Sequence, residues 1–133
     1  MEVLLAIKPQ YAAKIFDGTK RYEFRKSIFK SNNISKVIVY ASNPIKKVIG
    51  EFDIEEILKD EPEKLWNITK NFSGITKDFY DLYFGKRKDA YAIKIKSTKK
   101  YKNPKCLKSD YNIMYPPQSF RYMESKALST TCK

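Results

Sequence analysis

Apolar and polar positions fall in short blocks along this chain, and the period of the pattern changes from block to block. Residues 3–7, Val-Leu-Leu-Ala-Ile, are an unbroken apolar run that predicts a buried strand. Lys8 and Pro9 close it. Proline suits the first turn of a helix, and Ala12, Ile15 and Phe16 then recur at helical spacing. Gly18, just past the last of them, sits where a helix C-terminus favours glycine. The next stretch, Gly18-Thr19-Lys20-Arg21-Tyr22-Glu23-Phe24-Arg25, reads as a second strand. Strict alternation would put Arg21, Glu23 and Arg25 on one face and Lys20, Tyr22 and Phe24 on the other.

Residues 26–35 are polar, and Ser31-Asn32-Asn33 marks a loop. Lys36–Ser42 is β-branched and predicts a central strand that ends at the turn Asn43-Pro44. Residues 45–57 alternate, with Val48, Gly50, Phe52 and Ile54 on one face and Ile49, Glu51 and Asp53 on the other, as in a hairpin partner. Gly50 within that strand points to a bulge or a close backbone approach. Glu61-Pro62-Glu63 opens a short helix containing Leu65, Trp66 and Thr69. Ser73-Gly74 breaks it. A second helix, about 76–84, carries Phe79, Tyr80, Tyr83 and Phe84 at three-and-four spacing and is capped by Gly85. Residues 90–96 return to a strand with Tyr91, Ile93 and Ile95 on one side. From Ser97 the chain reads as extended and loop-rich through Asn103-Pro104 and Tyr115-Pro116-Pro117. Gln118–Tyr122 suits a helical turn or a strand. The pattern shows no repeat and no linker between two cores, so residues 1–123 are expected to be one domain and residues 124–133 a flexible basic tail.

Composition narrows the class. Of 133 residues, 42% are hydrophobic and 14% aromatic, which is enough for a core. Lys and Arg number 27 against 15 acids, a formal net charge of +12, which biases the partners toward polyanions. The N-terminus lacks the basic region of a signal peptide, and no run approaches the roughly 20 apolar residues of a membrane span. The two cysteines, Cys106 and Cys132, have no metal-ligand spacing. A reduced, cytoplasmic protein without metal, cofactor or membrane partner is expected. There is no histidine at all, which removes the commonest acid–base group and zinc ligand and weighs against an enzyme. Any catalysis falls to other residue types, with Lys20 and Glu23 as the catalytic pair if there is one.

Gly18-x-Lys20-x-x-Glu23-x-Arg25 matches the G-x-K-x-x-E-x-R pattern of the ASCH family at its four fixed positions. It directly follows a short helix led in by Ile7-Lys8-Pro9. Tyr40-Ala41-Ser42, Ile49-Gly50-Glu51-Phe52 and Tyr91–Ile95 also look like that family's strands. The chain therefore resembles the ASCH family of the PUA-like superfamily over roughly residues 2–97, and Pro116–Tyr122 looks like a C-terminal element of a bacterial subgroup. The resemblance implies an α+β fold: a small, mostly antiparallel β-barrel with flanking short helices over a cleft. It also implies an RNA- or nucleotide-related role.

On the residues alone, the charged row is either a solvated strand face with weak ion pairs or a site. The resemblance favours a site at Lys20, Glu23 and Arg25 and leaves Arg21 at the surface. There, Lys20 and Arg25 would meet phosphate, and Glu23 would orient one of them or accept a base amino group. Tyr22 and Tyr40 are either core residues or stacking partners for a base. Lys8 is disfavoured beside a helix N-terminus unless an anion lies there, and otherwise points to water. Ser42 either faces the cleft or caps its turn. The expected ligand is RNA or a nucleotide held by Lys8, Lys20, Tyr22, Glu23, Arg25, Tyr40 and Ser42. The alternative is a small hydrolase of RNA or of a modified nucleoside, with ribonuclease preferred over acetylcytidine amidohydrolase. That amidohydrolase subgroup carries a threonine nucleophile where this chain has Glu23. A regulatory protein-interaction module is a further alternative. For Lys20, Glu23 and Arg25 to meet one ligand, Lys20 must lie in the turn before the strand, or a bulge must intervene.

Overall fold

The opening apolar run forms β1 (Glu2–Ile7), which pairs in parallel with β3 (Lys36–Ala41), Val3 opposite Val37 and Ile7 opposite Ala41. A computed structural model of the chain describes residues 1–30 and 33–123. The expected basic tail at 124–133 lies outside the described residues, as do two positions of the 26–35 loop. Between β1 and β3 lie helix α1 (Pro9–Asp17) and the short strand β2 (Tyr22–Arg25). Two long strands follow, β4 (Lys47–Asp60) and β5 (Ala90–Lys105), separated by α2 (Pro62–Thr69), a 3-10 turn at Lys70–Phe72 and α3 (Lys77–Phe84). Helix α4 (Leu107–Tyr111) and strand β6 (Phe120–Met123) complete the described chain.

The six strands form one mixed sheet in the order β2-β5-β4-β3-β1-β6. All the neighbouring pairs except β1 with β3 are antiparallel. The expected small, mostly antiparallel β-barrel holds only in part: the sheet is mixed and does not close, with β2 and β6 as its two edges and no ladder between them among the described residues. Side chains fill the seam instead. Phe29, from the loop after β2, packs edge-on against Phe120 of β6 at 5.8 Å, and the Tyr122 hydroxyl accepts a hydrogen bond from the Lys30 amide at 2.9 Å. Each edge strand is only four residues long, so side-chain packing closes the gap where a backbone ladder would be short.

Alternation sorts β1 and β3 onto two faces. Val3, Leu5, Ile7, Val37 and Val39 meet Ala12 and Ile15 of α1 in one core, while Leu4, Ile38 and Tyr40 turn to the opposite face with Leu107 and Ile113. A third cluster joins Tyr22 and Phe24 of β2 and Ala92 of β5 to Leu65, Tyr80 and Phe84 of the two middle helices. The single-face reading of β4 needs correction. The register shifts beside Gly50, with Tyr40 opposite Val48 but Val39 opposite Gly50, so Val48 joins the Leu4 face while Phe52 stays with α1. Both explanations for the glycine apply. A Cβ at Gly50 would lie 2.5 Å from the Phe16 ring and 2.6 Å from the Lys99 carbonyl oxygen.

Beyond Ser97, the sequence reading expects loops, but β5 continues to Lys105. Its polar, exposed residues pair with the first half of β4, Phe52 opposite Thr98 and Val48 opposite Lys105. That stretch has no apolar alternation to betray it. Pro104, without an amide hydrogen, sits in the irregular part of the pairing between Lys100 and Lys105.

Candidate functional site

The site is built by the way α1 ends. Gly18 takes the left-handed conformation at φ 89°, and its amide reaches back to Ile15. Thr19 donates to the Asp17 carboxylate from both its amide and its hydroxyl, at 2.8 and 2.6 Å. These bonds, with Lys14 nearby, hold the Asp17 carboxyl below its usual range. The Lys20 amide donates to the Lys14 carbonyl at 3.0 Å, and the Arg21 amide to that of Phe72 at 2.9 Å. Strand β2 starts only at Tyr22. Lys20 therefore lies in the turn before the strand, released from alternation with Glu23 and Arg25.

All three side chains line one cleft of about 340 Å³, between the end of β1, α1, β2 and α3. Lys20 is 2% exposed. Its ammonium donates to the Ser73 carbonyl at 2.7 Å and lies 4.8 Å from the Phe24 ring centroid and 5.8 Å from that of Tyr11. Burial pushes its pKa down to about 8; the Glu23 charge works against that shift and Lys14 adds to it. Gly74 makes this burial possible, because a Cβ there would fall 2.5 Å from the Lys20 stem. Glu23 is 8% exposed, and its Oε2 is 3.5 Å from Arg25 Nη1. Arg25 Nη2 donates to the Ser119 carbonyl at 2.5 Å.

Lys8 also lines the cleft. Its carbonyl accepts the first amides of α1, from Tyr11 and Ala12, and its ammonium lies 5.8 Å from the Phe79 ring centroid. Tyr22 does not line the cleft; it is packed in the core with Tyr80 and Phe84. Tyr40 lies on the opposite face of the sheet with Leu4 and Leu107, and burial raises the pKa of its phenol, with Cys106 adding to the shift. Ser42 uses its backbone to build the turn, donating to Ile7 and accepting from Ile45, and stays outside the cleft. Arg21 is exposed and stacks over Phe72 at 4.5 Å.

The sequence reading did not place Tyr11, Phe79, Tyr83 and Gln118 at the site, yet all four line the cleft. One signal was present. Four aromatics on the eight residues of α3 exceed what one buried stripe needs: Tyr80 and Phe84 fill the core, and Phe79 and Tyr83 form the next stripe round, facing the cleft. Their rings are nearly parallel, 9° apart in plane. Gln118 reaches the site only through the tertiary fold. The cleft thus offers cations to an anion, a carboxylate to hydrogen-bond donors and flat rings to a base. It also holds an amine whose pKa is close enough to neutral for proton transfer. Among the described residues, no cluster of histidine, cysteine, aspartate or glutamate could hold a metal ion, and no helix is long and apolar enough to cross a membrane.

A family model described as ASCH domain matches residues 5–99. The large ribosomal subunit protein uL22 of Ureaplasma parvum is 32% identical over 122 residues, covering 92% of this chain but 39% of that protein. This chain therefore spans well under half the length of that relative. An ASCH domain-containing ribonuclease from Zymomonas mobilis is 26% identical over 94% of this chain and 86% of its own length. The crystal structure of ASCH from Zymomonas mobilis superposes with a TM-score of 0.87 at 25% identity, covering 98% of this chain and 93% of that one.

Proposed function

The chain belongs to the ASCH domain family, and from that premise we propose that it binds single-stranded RNA, one nucleotide of which enters the cleft between β2 and α3. The observation that carries this reading is the convergence of Lys8, Lys20 and Arg25 with Glu23 and the Tyr11, Phe79 and Tyr83 rings in one small cleft. Phosphate attraction supplies most of the affinity, aided by the net charge of +12, and the rings stack the base. The test is fluorescence anisotropy with short single-stranded RNAs at rising salt. Affinity should fall steeply with salt, and Lys8→Glu should weaken it at every salt concentration. Undetectable binding at low salt, or binding indifferent to Lys8→Glu, refutes the reading.

A second reading, ribonuclease activity, is favoured by one observation: the buried Lys20 amine, with its pKa near 8, beside the Glu23 carboxylate. Such an amine can exchange a proton with a ribose hydroxyl in mildly alkaline solution. The similarity to the Zymomonas ribonuclease supports it. Cleavage of RNA by the purified chain, lost in Lys20→Ala, would establish it. Cleavage that survives Lys20→Ala would assign the chemistry elsewhere. The amidohydrolase alternative has no such support, since Glu23 stands at the position of that subgroup's threonine.

A further inference from the structure

Glu23 is the one acidic side chain buried among the described residues, and its neighbours leave it poorly satisfied. The two cations beside it direct their short hydrogen bonds elsewhere, Lys20 to the Ser73 carbonyl at 2.7 Å and Arg25 Nη2 to the Ser119 carbonyl at 2.5 Å. Glu23 receives only the long contact of 3.5 Å from Arg25 Nη1 to Oε2, at the outer limit of a hydrogen bond. Oε1 accepts no hydrogen bond from the described residues, and Glu23 is one of the residues that line the cleft. The unpaired oxygen is not sealed from the cleft, so a ligand that brings donors to it can reach it and supply the hydrogen bonds that the protein does not.

We propose that Glu23 makes the cleft selective for guanine, its two oxygens accepting the N1 and N2 hydrogens of the base. This rests on the cleft being an RNA or nucleotide site, and it names the base that site takes. An ionised carboxylate only accepts, through two oxygens side by side, so it matches two adjacent parallel donors. On its pairing edge, guanine presents such a pair. Adenine and cytosine place one amino donor beside a bare ring nitrogen, and uracil sets one N–H between two carbonyl oxygens. Each of those would bring a lone pair against the carboxylate. The surroundings suit one base entering edge-first. A volume of about 340 Å³ is near the lower end of ligand sites, which run from about 300 to 1,000 Å³. Phe79 and Tyr83 provide the stacking faces. Lys8, whose ammonium donates no hydrogen bond to the described residues, remains for the phosphate that Glu23 repels.

The test is to titrate the whole chain with GMP, IMP, AMP, CMP and UMP, and with two oligouridylates, one carrying a single internal guanosine. GMP should bind roughly tenfold or more tighter than AMP, CMP and UMP. IMP, which lacks only the 2-amino group, should fall well below GMP. In Glu23→Gln, which replaces one acceptor with a donor, the preference should collapse, with GMP falling to about the affinity of AMP. A guanosine oligomer that binds much tighter than GMP makes RNA the source of the base, whereas equal affinity makes it the free nucleotide; both support the guanine site. Equal binding of the five nucleotides, IMP matching GMP, or a guanine preference that survives Glu23→Gln overturns the inference and leaves RNA binding standing. No binding by any of them overturns both. Should Glu23→Gln fail to fold, the comparison of IMP with GMP on the unaltered chain decides the matter.

Discussion

Arg25 donates through Nη2 to the carbonyl oxygen of Ser119 at 2.5 Å, and this one hydrogen bond ties strand β2 to the residue just before strand β6. Those two strands are the edges of the open sheet, so the bond spans the seam that a barrel would close with backbone pairing. Arg25 thus both borders the cleft and holds its two sides together. Arg25→Leu should lower stability by about 1.5–3 kcal/mol, the range for a hydrogen bond from a charged donor. Urea unfolding measures the loss. Amide exchange should quicken most in β6, and uniform quickening would show that the bond does not act at the seam.

Gly74 and Gly18 both have positive φ, 70° and 89°, but they differ in what surrounds them. A Cβ at Gly18 meets nothing within 4 Å, while one at Gly74 meets the buried Lys20 stem at 2.5 Å. Gly18→Ala should cost only the strain of the left-handed backbone, about 1–2 kcal/mol, and leave RNA affinity intact. Gly74→Ala should cost more and weaken RNA binding, because Lys20 has to leave its place. Melting curves and binding titrations on the two variants check this, and equal effects would count against it.

Lys20 should impose a pH dependence on stability. Folded, it loses its proton near pH 8; unfolded, it keeps it to about 10.5. Between these values the unfolded state binds more protons, so stability rises with pH across the window and the gain disappears as pH falls through 8. The gap between those two values corresponds to about 3 kcal/mol, at roughly 1.36 kcal/mol for each step of one in pKa. Denaturation of the native chain and of Lys20→Met from pH 7 to 10.5 should show the difference between them changing in this direction. A flat difference would mean that the amine is not desolvated.

The aromatic residues divide by face. Phe79→Ala should weaken RNA binding about tenfold or more, since stacking contributes about 1–3 kcal/mol per base. Tyr40→Phe should leave affinity unchanged, because Tyr40 packs on the opposite face of the sheet. Affinity measured at one fixed salt concentration compares the two directly. The reverse order of effects would move the site to the other face.

Local chemistry was legible wherever neighbours in sequence are also neighbours in space. Pro9, the spacing of Ala12 and Ile15, and Gly18 predict α1 and its end, and the structure has them at Pro9–Asp17 with the glycine left-handed. β-branched residues mark β3, and the glycine in β4 marks its bulge. The second half of β5 left no trace, because its lysines gain their strand from pairing with β4 and carry no alternation of their own.

The cleft shows the same division. The chain by itself determined that a lysine, a carboxylate and an arginine follow a glycine-ended helix within six residues, but strict alternation left Lys20 on the face opposite Glu23 and Arg25. Only the tertiary structure decided that Lys20 precedes the strand and is buried, because the Phe72 carbonyl and Gly74, more than fifty residues on, create that turn and that space. It also decided which rings face the cleft. Tyr22 and Tyr40 are as aromatic as Tyr11 and Phe79, but the face on which a side chain lands depends on register and on what packs behind it. The sheet stays open for a similar reason: the pairing of two short edges depends on the distance between them, and here Phe29, Phe120 and the Arg25–Ser119 bond fill that distance.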